Sequence, residues 1–134
     1  MTPPILIARR LRLFATPPPA QITANLSRRT AVLPEPDAPV FPLVWAAAHL
    51  AYGAGAGIVF ALSRRWLPRR VVAAGLLFGG GVWAISYLGY VPALRLYPEP
   101  ADDARPRQVV MIAAHGIFGV ALSETFDRRE KRRH

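Results

Sequence analysis

Residues 71–94 read VVAAGLLFGGGVWAISYLGYVPAL, an unbroken run without a charged side chain, bounded by Arg70 and Arg95. A helix rises 1.5 Å per residue, so about 20 apolar residues cross the hydrocarbon of a bilayer. This stretch is long enough. Lipid offers backbone N–H and C=O groups no partners, so a run of this kind must be helical or part of a closed barrel. It is too long and alternates too little for a barrel strand. Two further runs share its character. Val40 to Leu62, between Asp37 and Arg64, is uncharged and of nearly the same length. Val109 to Ser123 is shorter, and it spans once Gln108 and Glu124 are placed at the interfaces and Phe126 is included. Helices apolar on all faces belong in a membrane or in the core of a much larger protein than this 134-residue chain. The expectation is an all-α, polytopic transmembrane bundle. It is a single membrane domain, 1–134, with spans at about 40–62, 71–94 and 108–126 and a basic tail at 127–134.

Charge orients these spans. The net charge is +9, and sixteen of the seventeen basic residues are Arg. They cluster at Arg9-Arg10-Leu11-Arg12, Arg28-Arg29, Arg64-Arg65, Arg69-Arg70 and from Arg128 to Arg133. No regular element carries a basic face with interleaved aromatics, so nucleic acid is not an expected partner. Arginines bracketing apolar runs are anchors and topology signals, and the expected partner is the lipid bilayer. The basic loop 64–70 and the basic tail read as cytoplasmic. The acidic, proline-rich segments 34–39 and 97–103 read as outward-facing, with Glu99, Asp102 and Asp103 as outer-face polarity. The two assignments alternate across three spans and put the C-terminus in the cytoplasm. Arginine richness at the expense of lysine fits a bacterium, hence its inner (plasma) membrane. Phe41 and Trp45, Trp66, and Tyr87, Tyr90 and Tyr97 read as interfacial belts. The chain has no Cys, which excludes disulfides, thiolate metal sites and cysteine nucleophiles.

The segment 1–39 fits three spans poorly, because it would lie outside yet carries Arg9, Arg10, Arg12, Arg28 and Arg29. The apolar stretch Pro3 to Ala8 is too short for a signal-peptide core. Ser27-Arg28-Arg29-Thr30 lacks the apolar core of a twin-arginine signal. Thr16 before Pro17 reads as a helix start, Thr as cap and Pro at the first position. A short interfacial helix, about 18–26, is expected there, with Ile22 and Leu26 on one face.

An internal repeat gives the N-terminus a different meaning. Ala47-Ala48-His49-Leu50-Ala51-Tyr52-Gly53 matches Ala113-Ala114-His115-Gly116-Ile117-Phe118-Gly119, and Arg-Arg follows each at 64–65 and 128–129. Upstream, Leu11-Arg12-Leu13-Phe14 matches Leu94-Arg95-Leu96-Tyr97, and a proline-rich loop follows each. The order is the same in both halves, which reads as a duplicated helix hairpin in parallel orientation. Aligned this way, Met1 falls opposite Ala84, in mid-span. The first half then holds only a partial helix at about 3–14. The expectation is either a start further upstream or a truncated copy of a four-span design.

The chain also resembles the uncharacterised, YagU-like family of small bacterial inner-membrane proteins. The resemblance rests on Pro18-Pro19-Ala20-Gln21-Ile22-Thr23, on His49-Leu50-Ala51-Tyr52-Gly53, on the Gly-rich segment Gly79 to Gly89 with its Trp83 and Ser86-Tyr87, and on His115 to Gly119. It covers roughly Met1 to Asp127. It implies a four-helix membrane protein and no particular activity.

Candidate residues fall into two sets. Gly53 and Gly57, and Gly75 and Gly79, stand four apart, the spacing at which small residues let membrane helices approach. They are expected to pack helices within the chain or between copies. The run Gly79 to Gly81 is also a place where a helix could break. His49 and His115 precede their Arg-Arg pairs by nearly equal distances, which puts them at similar depth, with Ser86 and Tyr87 as polar neighbours. Ionisable side chains at such depth are costly and face the bundle interior. Three roles stay open: neutral residues hydrogen-bonded to Ser86, Tyr87 or carbonyls, a polar pathway for protons or a small solute, and joint ligation of haem or a metal. No acid or third His sits at that depth, so no cofactor is expected. No nucleophile set or phosphate loop is present, so an enzyme is not expected either. The function expected is that of a non-enzymatic accessory or structural membrane protein acting through helix packing, alone or with a partner. The alternative is a small transporter or conducting bundle that uses His49 and His115.

Overall fold

A computed structural model describes residues 16–132. The expected partial helix at 3–14, with its Leu11-Arg12-Leu13-Phe14 motif, lies outside the described residues. Those described are all-α: α1 (Pro18–Thr30), α2 (Phe41–Ser63), α3 (Val71–Trp83) and α4 (Arg105–Lys131). A 3-10 turn at Arg64–Trp66 extends α2. A widened π-helical stretch, Ala84–Tyr90, and a last turn, Val91–Ala93, extend α3. Three rods, Phe41–Trp66, Val71–Ala93 and Arg105–Lys131, are long and apolar enough to cross a membrane.

α4 outruns the expected 108–126 at both ends. Pro106 suits the first turn, where an N–H would lack a partner anyway. At the other end the helix continues through the basic tail. There Asp127 pairs with Lys131 at 2.8 Å and Glu124 with Arg128 at 3.4 Å, both one turn apart, and cations near a helix C-terminus are favoured by its dipole.

α3 and α4 form the tightest pair, and glycine is the reason. A Cβ on Gly75 would sit 2.5 Å from the Val120 Cα and 2.7 Å from the Gly119 carbonyl oxygen. A Cβ on Gly79 would run into the His115 carbonyl, and one on Gly119 into the Gly75 carbonyl. The two backbones are therefore in direct contact. Between lipid-soluble helices there is no hydrophobic drive, so close van der Waals contact of this kind supplies the attraction.

The break in α3 lies away from its glycine run. Gly79 to Gly81 sit on the regular α-helix, whereas the widening begins at Ala84 and contains Gly89, whose φ −105°, ψ −106° is non-helical. Pro92 accounts for this. It has no N–H to give the Leu88 carbonyl, and its ring would strike that group, so the preceding turn must open. Ser86 helps by donating its hydroxyl to the Val82 carbonyl at 2.6 Å.

α2 is held at few points. Among the described residues, only Phe41 and Phe60 of its side chains are buried. Phe60 is fully enclosed and packs edge-on to Phe78 of α3 at 5.1 Å and Phe126 of α4 at 5.7 Å, which pins the basic ends of all three rods. Arg64 then closes the turn by donating to the Pro68 carbonyl at 3.0 Å.

α1 caps the opposite end. It begins at Pro18, as expected, but its cap is Pro17 and not Thr16: Pro17 has ψ 140°, and its carbonyl, not a Thr16 side chain, receives the first N–H groups, of Ala20 and Gln21. It also runs past Leu26 to Thr30. The C-terminus of α3 ends with Arg95 left-handed (φ 52°), its N–H bonded to the Pro92 carbonyl and that of Leu96 to the Val91 carbonyl. This is a Schellman ending with Arg where Gly is usual. α1 takes up the carbonyls that remain. Asn25 donates to Leu96 at 2.8 Å, and the Arg29 guanidinium donates to Leu94 and, at 3.1 Å, to Arg95. A cation thus sits on the negative pole of α3.

Candidate functional site

The four polar candidates divide between two places. His49 on α2, His115 on α4 and Ser86 in the widened turn of α3 line one cavity of about 310 Å³. α1 closes it from above with Ile22 and Leu26, and Val91, Met111 and Ala114 make up much of the apolar wall. Its rim carries Tyr52 and Tyr90, both about two-fifths exposed, with the Tyr90 hydroxyl donating to that of Tyr52 at 3.0 Å. That bond ties α2 to α3 across the cavity mouth.

Helix geometry puts these groups there. His49 and Tyr52, three apart, share a face of α2, while His115 lies one turn after Met111 on α4. His115 Nδ1 is bonded to the Met111 carbonyl at 2.7 Å. A carbonyl only accepts, so Nδ1 carries the proton and Nε2, across the ring, keeps its lone pair in the neutral imidazole. Ser86 spends its proton on Val82 and keeps its lone pairs. Of the three partners expected for these histidines, His115 therefore takes a backbone carbonyl, not Ser86 or Tyr87. Two imidazoles are too few for a closed tetrahedral metal site. Among the described residues no group of three His, Asp or Glu side chains could complete one.

Tyr87 stands elsewhere. It is buried beside Val91, Leu96, Tyr97 and Met111, stacks on Trp83 at 5.5 Å, and donates its hydroxyl to Asp103 Oδ2 at 2.7 Å. Asp103 is not outer-face polarity: its side chain is fully enclosed, with the Arg107 guanidinium 3.5 Å from Oδ1. Gln108 locks the loop by donating to the Pro100 carbonyl at 2.7 Å and the Asp103 carbonyl at 3.0 Å. Burial, reinforced by the nearby Asp103 charge, pushes the Tyr97 hydroxyl above its ordinary pKa, and Arg107 works against the shift. Tyr87 and Tyr97 are consequently core residues and not an interfacial belt. The signal available in the sequence is Asp103 just before a helix start with Arg107 one turn on, a spacing that joins the two as an i, i+4 pair.

The two glycine pairs also part company. Gly75 and Gly79 are consumed in the α3–α4 seam. Among the described residues, nothing lies within 4 Å of a Cβ on Gly53, and one on Gly57 would meet only Leu122, at 3.7 Å. Gly57 lies instead on a groove of about 470 Å³ between the basic halves of α2 and α4. Ala54, Gly57, Ile58 and Ala61 form one side, and Leu122 and Phe126 part of the other. Comparison with known protein families, with curated proteins and with solved structures gave no match.

Proposed function

We propose that the chain is a non-enzymatic accessory or structural protein of a bacterial inner membrane, its C-terminus cytoplasmic, acting through helix packing with a second copy or another membrane protein. The observation that carries this reading is the groove beside α2. Its α2 side carries Ala54, Gly57 and Ala61 beside Ile58, and three of these four are small side chains of the kind that let another helix approach closely. The same chain uses Gly75, Gly79 and Gly119 for such an approach within itself. Gly53, which aligns in sequence with Gly119, has nothing within 4 Å of a Cβ among the described residues and so leaves room for another helix. In native membranes, Cys introduced at Ala61 would form an oxidative crosslink to a neighbouring helix. A strictly monomeric protein in mild detergent, with no crosslinked species in membranes, would sink the proposal.

A second reading, a small transporter or conducting bundle, draws on His49 and His115 sharing one cavity. Proteoliposome flux of protons or small solutes, lost in His49→Ala and His115→Ala, would support it. Flux absent, or unchanged in both variants, would remove it.

A further inference from the structure

We infer that the cavity between α1, α2, α3 and α4 binds a small apolar molecule bearing a hydroxyl group, which its fixed acceptors receive as a hydrogen-bond donor. Three features lead there, independently of the packing role proposed above. The first is size and wall. At about 310 Å³ the space stands at the small end of ligand pockets, and its lining is mainly aliphatic. The second is the polarity of what little polar surface there is. The protons of the His115 Nδ1 and the Ser86 hydroxyl are already spent on Met111 and Val82. What these two groups keep is lone pairs, which only an occupant that donates can pair, whereas His49 and Tyr52, also in the lining, each still carry a proton and can donate or accept. A ketone, ether or ester would leave them unpaired, and an unpaired buried acceptor is costly. The third is access. Tyr52 and Tyr90 bridge the rim and are themselves partly exposed. A molecule dissolved in the bilayer enters sideways between α2 and α3, without crossing water, once this one exposed hydrogen bond parts. The widened turn that supplies Ser86 is a device helices often carry at functional sites.

Phenols and aliphatic alcohols both carry this chemistry. The test uses the full chain in lipid nanodiscs, dialysed against 2-naphthol, with protein-free nanodiscs subtracting partition into lipid. The expected result is saturable binding of one 2-naphthol per chain, with 2-methoxynaphthalene, which cannot donate, about tenfold weaker. His115→Phe should narrow the gap between the two probes, and Ala48→Trp, which fills the cavity from α2, should abolish binding of both. Competition by 1-octanol would extend the ligand class to aliphatic alcohols, and its failure would restrict the class to phenols; either is support. Equal binding of naphthol and its methyl ether by the wild-type protein, or no saturable binding beyond lipid, would overturn the inference without recourse to any variant.

Discussion

Adding one methyl group at Gly79 should separate the two best-packed helices of this protein. The Cβ of Gly79→Ala would collide with the His115 carbonyl oxygen and lie 2.9 Å from its carbon, where ordinary contact begins at 3.4 Å. The obstacle is backbone, which cannot swing away, so α3 and α4 must part at that point. Overpacking of this kind costs about 1–3 kcal/mol. Contacts at Gly75 and Gly119 loosen in the same movement, which places the expected loss at about 2–3 kcal/mol. Gly80→Ala is the matched control. Nothing among the described residues lies within 4 Å of its Cβ, so helix propensity alone acts, a gain of about 0.5–1 kcal/mol at most. Unfolding in mixed micelles by titration with SDS, followed by circular dichroism, reads both. A Gly79→Ala protein within about 0.5 kcal/mol of wild type, or a Gly80→Ala protein equally damaged, would refute backbone contact as the basis of the seam.

Phe60→Ala should release α2 from the other two spans at a cost of about 3–5 kcal/mol, visible as lost crosslinking between cysteines placed on α2 and α4, with the α3–α4 pair intact. A double-mutant cycle of Tyr52→Phe and Tyr90→Phe should give a coupling of about 0.5–1 kcal/mol in the same unfolding assay. Asp103→Ala strands the Tyr87 hydroxyl and should cost about 1–3 kcal/mol, while Asp103→Asn, whose amide oxygen still accepts, should recover part of that. Tyr97 predicts an alkaline limit. Its folded pKa stands above the ordinary 10.0, so its contribution is complete below pH 10 and declines as pH rises beyond it, where the unfolded chain ionises first. Tyr97→Phe should flatten the fall in stability that wild type shows there.

The rods are legible because an uncharged run long enough to cross a bilayer has few other uses, and Arg70 and Arg95 bracket α3 closely. The Gly75 and Gly79 pair is legible for its spacing, although its partner Gly119 stands out only as part of a repeat. What stays hidden depends on contacts far apart in sequence. Arg29 meets the end of α3 from 65 residues away in sequence, and no local pattern marks it as a cap. Asp103 looks like loop polarity because its burial is created by Tyr87 and Arg107 folding over it. Pro92 is in plain view, and its effect on Leu88 follows from proline chemistry alone, yet the glycines at 79–81 are the more conspicuous break signal. For the cavity, depth puts His49 and His115 at one level, but only the fold adds Ser86, Tyr52 and Tyr90.

Whether the side of α2 carrying Ala54, Gly57 and Ala61 is a packing face can be measured directly. The chain has no native Cys, so single cysteines can be placed at each position from 53 to 62, spin-labelled, and their accessibility to oxygen measured in native-like bilayers. A packing face predicts a dip in oxygen accessibility at 54, 57, 58 and 61, recurring with the helical period, against high values at Val59 and Leu62. Uniformly high accessibility, equal at Ala61 and Leu62, would mean that this face meets only lipid and would contradict a role through helix packing.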